Sequence, residues 1–163
     1  MTAQTTASHR LRAHEARCQT CSLSSLCLPL ALNMEAIDQF DSIIRRRAPL
    51  RKGEVLFTQG EPFDCVFTVR SGSLKQINTE NSGTEQLTGF FLPSELAGLD
   101  AIDSNAYPGS AVALETTTVC EIPFDRLDAL SAQLPELRTQ LLKGLSKELH
   151  EDRRRMMLLS RRT

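Results

Sequence analysis

Four cysteines are the residues of this chain best suited to chemistry. Cys18, Cys21 and Cys27 follow a C-x2-C-x5-C spacing, and Cys120 lies far downstream. Thiolates are the ligands that iron–sulfur clusters and zinc prefer, and four of them complete such a site. A fourth ligand from a distant element would tie a short N-terminal segment to the body of the protein. The cysteines therefore predict a metal centre on which the packing of that segment depends.

Two other interpretations of the cysteines stay open from the residues alone. A closed structural zinc site uses the same four ligands. Scattered buried thiols without a metal are the second alternative. Cys65 differs from the four because it lies in an apolar run, and we expect it to pack in the core.

Composition bounds the class of protein. The chain has 163 residues, 40% apolar and 24% charged, with a net charge of -1. These values predict one compact domain with an appendage, and neither a membrane span nor a nucleic-acid coat. Five cysteines without a secretory signal favour a reducing compartment, the cytoplasm. His9, His14 and His150 are scattered and no dinucleotide fingerprint is present, so we expect no enzyme.

The elements that must position the cysteines can be read along the chain. We expect a flexible N-terminus over 1–17, a cysteine segment over 18–30 and a β domain over 31–122. A helix capped by Asn33 and running through Ile44 leads that domain, with Ile37, Phe40, Ile43 and Ile44 facing inward. Short apolar or alternating runs separated by glycine turns predict an antiparallel sandwich or jelly roll. They occupy residues 55–57, 66–69, 74–77, 87–92 and 111–122.

Two helices are predicted over 123–163. Pro123 suits the first turn of a short helix to Ser131, and Pro135 can open a long one to about Arg161. The long helix carries residues at heptad a and d positions, namely Leu142, Leu145, Leu149, Asp152, Met156 and Leu159. A seam of this length after a finished β domain predicts dimerisation. Asp152 would face its own copy there, unless it pairs at the rim with Arg153 or Arg155.

Several further motifs accompany the cysteine spacing. They are Lys-Gly-Glu at 52–54, Gln-Gly-Glu-Pro-Phe at 59–63, Arg-Ser-Gly at 70–72, Gly-Phe at 89–90, Leu-Pro-Ser-Glu-Leu-Ala-Gly at 92–98, Leu-Glu-Thr-Thr at 114–117, Cys-Glu-Ile-Pro at 120–123 and residues 157–162. With these motifs the chain resembles the oxygen-sensing FNR-type regulators of the cyclic-AMP-receptor-like superfamily. The resemblance implies a cyclic-nucleotide-binding-like β-roll followed by a dimerisation helix.

The resemblance also implies a cofactor and partners. Cys18, Cys21, Cys27 and Cys120 would hold one [4Fe-4S] cluster per protomer, which oxygen converts to [2Fe-2S] and then destroys. From their positions between the cysteines, Ser22 and Leu26 are candidates to tune a neighbouring sulfur and to limit access to it. The alternative is that they fill space around the loop. In that family a helix-turn-helix domain follows, and this chain ends where it would begin. We expect the sensory and dimerisation part of a regulator, cut from a longer protein or naturally short, whose full-length form binds DNA and RNA polymerase.

Two points of the resemblance concern other partners. One hairpin is similar to a loop that contacts RNA polymerase, and it comprises Thr79, Glu80, Asn81, Ser82, Gly83, Thr84 and Glu85. Cyclic-nucleotide pockets in the superfamily resemble one another in an arginine that pairs with the phosphate. Gly109 stands at the corresponding position, so we expect no cyclic nucleotide.

Overall fold

A computed structural model describes residues 17, 18, 21, 27 and 32–161 of the chain. The predicted N-terminus over 1–17 therefore lies almost wholly outside the described residues. Within them, eight strands form two antiparallel four-stranded sheets, in the orders β1-β8-β3-β6 and β2-β7-β4-β5. The strands are β1 Arg45–Arg46, β2 Val55–Phe57, β3 Cys65–Ser71, β4 Leu74–Thr79, β5 Glu85–Phe91, β6 Leu96–Ala97, β7 Ser110–Ala113 and β8 Thr118–Pro123. The predicted antiparallel β-roll is confirmed.

The main core lies between the two sheets. Side chains alternate along β4 and β7, so that Leu74, Ala111 and Ala113 are buried while their neighbours are partly exposed. Phe57 stacks on Tyr107 with ring centroids 4.1 Å apart. Cys65 belongs to this core and is 2% exposed, as the sequence predicts.

Three helices lie on the outer face of β3. They are α1 Met34–Ile43, α2 Phe124–Gln133 and α3 Pro135–Ser160. The side chain of Asn33 caps α1 by accepting the Ala36 N–H at 2.9 Å, as predicted. Pro135 stands in the first turn of α3, where a missing N–H costs nothing. Of the described helices, none is both long enough and apolar enough to cross a bilayer.

A second core cluster joins these helices to the β-roll. Val66 of β3 points away from the main core and is completely buried. Phe40 of α1, Leu127 of α2 and Leu137 of α3 pack in the same cluster. The cluster also contains Cys18, so the cysteine segment and the start of the long helix share one packing unit.

The predicted strand over 111–122 is wrong, because two strands from different sheets occupy it. The chain crosses from β7 to β8 between Leu114 and Thr117. The completely buried hydroxyl of Thr117 fixes this crossing, since it accepts the Ser73 N–H at 3.2 Å and donates to a nearby carbonyl oxygen. The ladder partner of Thr117 is Leu50, far back in the chain.

The predicted place of Pro123 is also corrected. Pro123 is the last residue of β8, opposite Cys65, and it caps α2 rather than lying in its first turn. The Phe124 N–H donates to the Asp64 carbonyl oxygen at 2.8 Å, which holds the strand-to-helix junction against β3. The helix then continues to Gln133, two residues beyond the predicted end.

We expect Gly72→Ala to destabilise the roll by about 3 kcal/mol, because it combines a positive φ with a steric clash. Gly72 has φ +84°, and an added β carbon would lie 2.5 Å from both the Thr116 carbonyl oxygen and Thr117 Oγ1. Gly83→Ala is the matched control. Its φ is +85° with nothing within 4 Å, so it should cost only about 1 kcal/mol. Urea unfolding measures both, and equal costs would contradict the clash.

Candidate functional site

Cys120 lies in β8 between two strands. Its ladder partners are Arg46 of β1 and Thr68 of β3. Burial raises the pKa of the Cys120 thiol and the nearby Cys21 adds to the effect, while the guanidinium groups of Arg46 and Arg70 oppose it. Arg46 Nη1 lies 4.0 Å from Cys120 Sγ. The downstream cysteine is thus a half-buried thiol beside a fixed positive charge.

Cys18 lies against α1 in the second core cluster. Its backbone N–H donates to Asp41 Oδ1 at 2.9 Å, and its side chain is 8% exposed. Burial raises the pKa of the Cys18 thiol to about 12, with Asp41 and Cys120 contributing in the same direction. The Cys21 N–H donates to the Cys18 carbonyl oxygen at 3.3 Å. The backbones of Cys18 and Cys21 are therefore in direct contact.

Asp41 connects these thiols to the basic side of the site. Its Oδ1 atom lies 2.6 Å from Arg46 Nη2. Burial acts to raise the pKa of Asp41, but the hydrogen bonds from Cys18 and the charge of Arg46 outweigh burial and hold that pKa below its ordinary value. Asp41 remains a carboxylate at neutral pH.

Cys27 is placed differently from the other three. It is half-buried, packs against the second core cluster and lines the cleft beside α3. Over the described residues, no three His, Cys, Asp or Glu side chains are arranged to hold a metal ion. The structure therefore does not assemble a finished ligand set from the cysteines that it describes. Ser22 and Leu26 lie outside the described residues.

The donor chemistry fits a metal centre of the predicted type. Cys18 and Cys120 flank the Asp41–Arg46 ion pair, and thiolate is the soft donor that iron–sulfur clusters and zinc share. An arginine stands within reach of one sulfur, where it can balance the negative charge of a multi-thiolate site. Cys27 would complete the set of four.

The position expected of a phosphate-binding arginine is closed. Gly109 is buried, and an added β carbon would lie 2.6 Å from Asn78 Oδ1 and 2.9 Å from the Ile77 carbonyl oxygen. Strand β4 thus occupies the space that a side chain would need. Glu95, in the neighbouring motif, accepts the Leu92 N–H of its own loop at 3.0 Å. That no cyclic nucleotide binds stays a prediction, which this packing supports.

A cleft of about 490 Å³ separates α3 from the second sheet. Gly144 lines this cleft and faces Leu96 of β6, from which an added β carbon would lie at an ordinary contact distance of 3.6 Å. Glu148 faces the cleft, where burial first and then the charges of Asp100 and Asp152 raise its pKa to about 7. Ionising the Glu148 carboxyl group on this face of α3 is therefore unfavourable.

The predicted dimer seam of α3 faces solvent. Leu142, Leu149 and Met156 are 60%, 54% and 68% exposed, and Leu145 and Leu159 are also exposed. Asp152 is exposed too and lies 3.3 Å from Arg155, which donates to the Thr88 carbonyl oxygen at 3.2 Å. Within one chain, the expected rim pairing with Arg155 is thus present. That the seam forms a dimer stays a prediction.

The hairpin between β4 and β5 is an exposed tip, as expected. The Glu80 N–H donates to the Thr84 carbonyl oxygen at 2.9 Å, and the Gly83 N–H donates to the Glu80 carbonyl oxygen at 2.8 Å. Residues 79–85 are all exposed to solvent. The polymerase contact itself stays a prediction.

Sequence reasoning missed Asp41 and Arg46. Neither belongs to a motif, and their relation to Cys120 depends on the pairing of β1 with β8. Strand β1 is only two residues long, which is too short for a recognisable periodicity. The run Arg45-Arg46-Arg47 beside an apolar helix was the one available signal.

The fold and part of the sequence match a described family. The model of the cyclic nucleotide-binding domain matches residues 47–133, which is more than half of the chain. The chain belongs to the cyclic nucleotide-binding domain family. Among solved structures, the catabolite activator protein of Thermus thermophilus is 29% identical with a TM-score of 0.68, covering 82% of this chain and 62% of that one. The sensor domain of the Pseudomonas aeruginosa regulator DNR, 22% identical with a TM-score of 0.67, shares the fold.

Similar proteins place this domain among FNR-type regulators, so the resemblance is confirmed. The transcriptional activator protein Anr of Pseudomonas protegens is 56% identical over 94% of this chain and 64% of its own length. The fumarate and nitrate reduction regulatory protein of Salmonella typhimurium is 45% identical over 89% of this chain and 58% of its own. The chain thus spans about three fifths of these relatives, which are named as a transcriptional activator and as a regulatory protein.

We expect Glu148→Gln to stabilise the domain at alkaline pH. The raised pKa means that the folded state binds a proton more tightly than the unfolded state, whose ordinary value is 4.5. Wild-type stability therefore falls relative to the variant between about pH 4.5 and 7, and the gap is constant above pH 7. After allowing for solvent screening, the gap should reach about 1–2 kcal/mol.

Urea unfolding at pH 4, 6 and 8 measures this difference. Glu54→Gln, on an exposed turn, is the control and should follow the wild-type pH profile. A Glu148→Gln variant whose stability tracks the wild type at every pH would show that the carboxyl group is not desolvated.

Proposed function

We propose that this chain is the oxygen-sensing and dimerisation part of an FNR-type transcription regulator. Cys18, Cys21, Cys27 and Cys120 would hold one [4Fe-4S] cluster per protomer. The observation that carries the proposal is the placement of Cys18 and Cys120 on either side of the Asp41–Arg46 ion pair. The relative of Pasteurella multocida named "Anaerobic regulatory protein", which is 46% identical over 88% of this chain, supports an anaerobic role.

Packing supplies a route from the cysteines to the long helix. When bound, the cluster would contribute four metal–thiolate bonds that oxygen breaks, with a [2Fe-2S] form on the way. Cys18 packs with Phe40 and Ile122 in the second core cluster, which also contains Leu137 in the first turn of α3. Holding the cysteine segment in place would keep this hydrophobic core cluster covered and fix the direction in which α3 leaves the roll. Releasing the segment would expose the core cluster to solvent and leave the direction of α3 less fixed.

The seam of α3 converts this packing into dimerisation. Two copies of Asp152 about 5 Å apart would repel by about 3 kcal/mol at an effective dielectric of about 20. The apolar positions Leu142, Leu149 and Met156 provide the opposing attraction. The balance favours a dimer only when the start of α3 is held firmly. In the full-length regulator, the dimer would bind DNA and RNA polymerase in the cytoplasm, without enzymatic activity of its own.

Metal analysis after anaerobic purification tests the proposal. We expect brown protein with about equal iron and acid-labile sulfide, which bleaches in air while its mass falls towards the monomer. Colourless protein holding one zinc and indifferent to air would refute it. Cys120→Ala should lose the iron, because it removes a ligand. Cys65→Ala is the matched control and should keep it, since Cys65 lies in the main core.

We expect Asp152→Ala to dimerise without a cluster, because it removes the like-charge repulsion across the seam. Sedimentation of the metal-free variant measures this, at a concentration where the metal-free wild type is monomeric. Glu151→Ala, beside the seam on the same helix, should remain monomeric. A monomeric metal-free Asp152→Ala variant would contradict the switch and leave the pairing with Arg155 as the role of Asp152.

A further inference from the structure

One carboxylate oxygen holds together two parts of the cysteine site that are far apart in sequence. Asp41 Oδ1 accepts the Cys18 backbone N–H at 2.9 Å, and the same atom lies 2.6 Å from Arg46 Nη2. Arg46 extends its other nitrogen, Nη1, to 4.0 Å from Cys120 Sγ. A continuous path of polar contacts therefore runs from Cys18 through Asp41 and Arg46 to Cys120.

Burial and register make this path well defined. Arg46 and Asp41 are 20% and 25% exposed at the side chain, well below the exposure of the surface pair Arg155–Asp152. Arg46 is also the ladder partner of Cys120 in the β1–β8 pairing, so the backbone fixes their separation. Asp41 lies in the last turn of α1, whose Phe40 is buried in the second core cluster.

We propose that Asp41 and Arg46 are a positioning pair that sets both ends of the metal site. Asp41 holds the backbone of Cys18 against α1, and Arg46 donates to the sulfur of Cys120. The metal that this pair serves rests on the proposed function, whereas the pair itself acts on any metal that the thiolates bind. Guanidinium suits the task because it presents several donors in a rigid fork and stays charged at all working pH values.

The pair explains why an arginine is needed rather than any cation. A lysine at 46 would carry the charge but offers one nitrogen, so it cannot contact Asp41 and Cys120 with separate donor atoms. Hydrogen bonds to ligating groups orient the ligands and tune the metal, and their loss typically weakens metal affinity about 10–100-fold. The thiolates of a cluster carry excess negative charge, which Arg46 would offset at Cys120.

Anaerobic titration of the metal-free protein with Co²⁺ tests the pair without depending on iron or oxygen. Thiolate-to-cobalt charge-transfer absorption reports occupancy of the thiolate site. We expect Arg46→Met and Asp41→Asn each to raise the Co²⁺ dissociation constant about tenfold or more. Arg47→Met is the matched control, because Arg47 is the next residue and lies 3.7 Å from Glu121 instead. It should stay within about twofold of the wild type, since it leaves the path intact.

A double-variant cycle separates positioning from general stability. If Asp41 and Arg46 act as one unit, the double variant should lose no more affinity than the worse single variant. If the losses of Co²⁺ affinity in the two single variants add up in the double variant, the two residues act independently and the proposed pair is refuted. Arg46→Lys covers the case in which Arg46→Met does not fold, as judged by urea unfolding, and we expect it to recover only part of the affinity. Wild-type Co²⁺ affinity in Arg46→Lys would show that the positive charge alone is sufficient. An equal loss of affinity in Arg47→Met would show that any nearby arginine has the same effect. Either result would refute the inference.

These experiments distinguish a failure of the proposed function from a failure of the positioning pair. A wild-type protein that binds Co²⁺ but never holds iron and sulfide would refute the cluster while leaving the pair standing. The opposite result would refute the pair alone. In that case the wild-type protein holds a full cluster, while the Arg46→Met and Asp41→Asn variants keep wild-type Co²⁺ affinity and bleach in air at the wild-type rate.

Discussion

Burial of both faces of β3 is the constraint on which the rest of this structure depends. Phe67 and Val69 point into the roll, while Val66 points outward and is covered by the helices. Each such apolar side chain contributes about 1.5–3 kcal/mol when it leaves water, so the outer face cannot stay bare. Covering it brings α1, α2 and the start of α3 to one place. Cys18 packs in that same place, and the proposed switch would use this shared packing to connect a segment near the N-terminus with the long helix.

The long helix is held to the roll much more weakly than its first turn is. Leu137 is its one buried residue in the described part of the chain. Farther along, Glu148 lies near Asp100 across the cleft, and Arg155 supplies a polar contact to β5. Such contacts are worth little beside a packed core. The helix is therefore anchored at one end and adjustable at the other, an arrangement that lets a second chain compete for its exposed seam.

Local patterns predicted most of the fold, and contacts between distant residues account for what they missed. Asn33 and Pro135 start their helices as expected because capping and a missing N–H are local effects. Short apolar or alternating runs between glycine turns likewise revealed most strands of the roll. The break at Thr117 depends on Leu50 and Ser73, which no window around residue 117 contains. At the site, spacing singled out the cysteines that we propose as ligands, whereas Asp41 and Arg46 become relevant only through the register of β1 on β8.

Strand β1 has a protective consequence as well as a positional one. It is the edge of the first sheet, two residues long, and both residues are arginines. Long apolar edges recruit strands from other molecules, whereas short charged edges discourage this pairing. If the cysteine segment leaves as the proposed switch requires, part of the second core cluster, which contains Cys18, Phe40 and Ile122, would be uncovered close to this edge. In that open form the two arginines would discourage aggregation, so that the domain could close again.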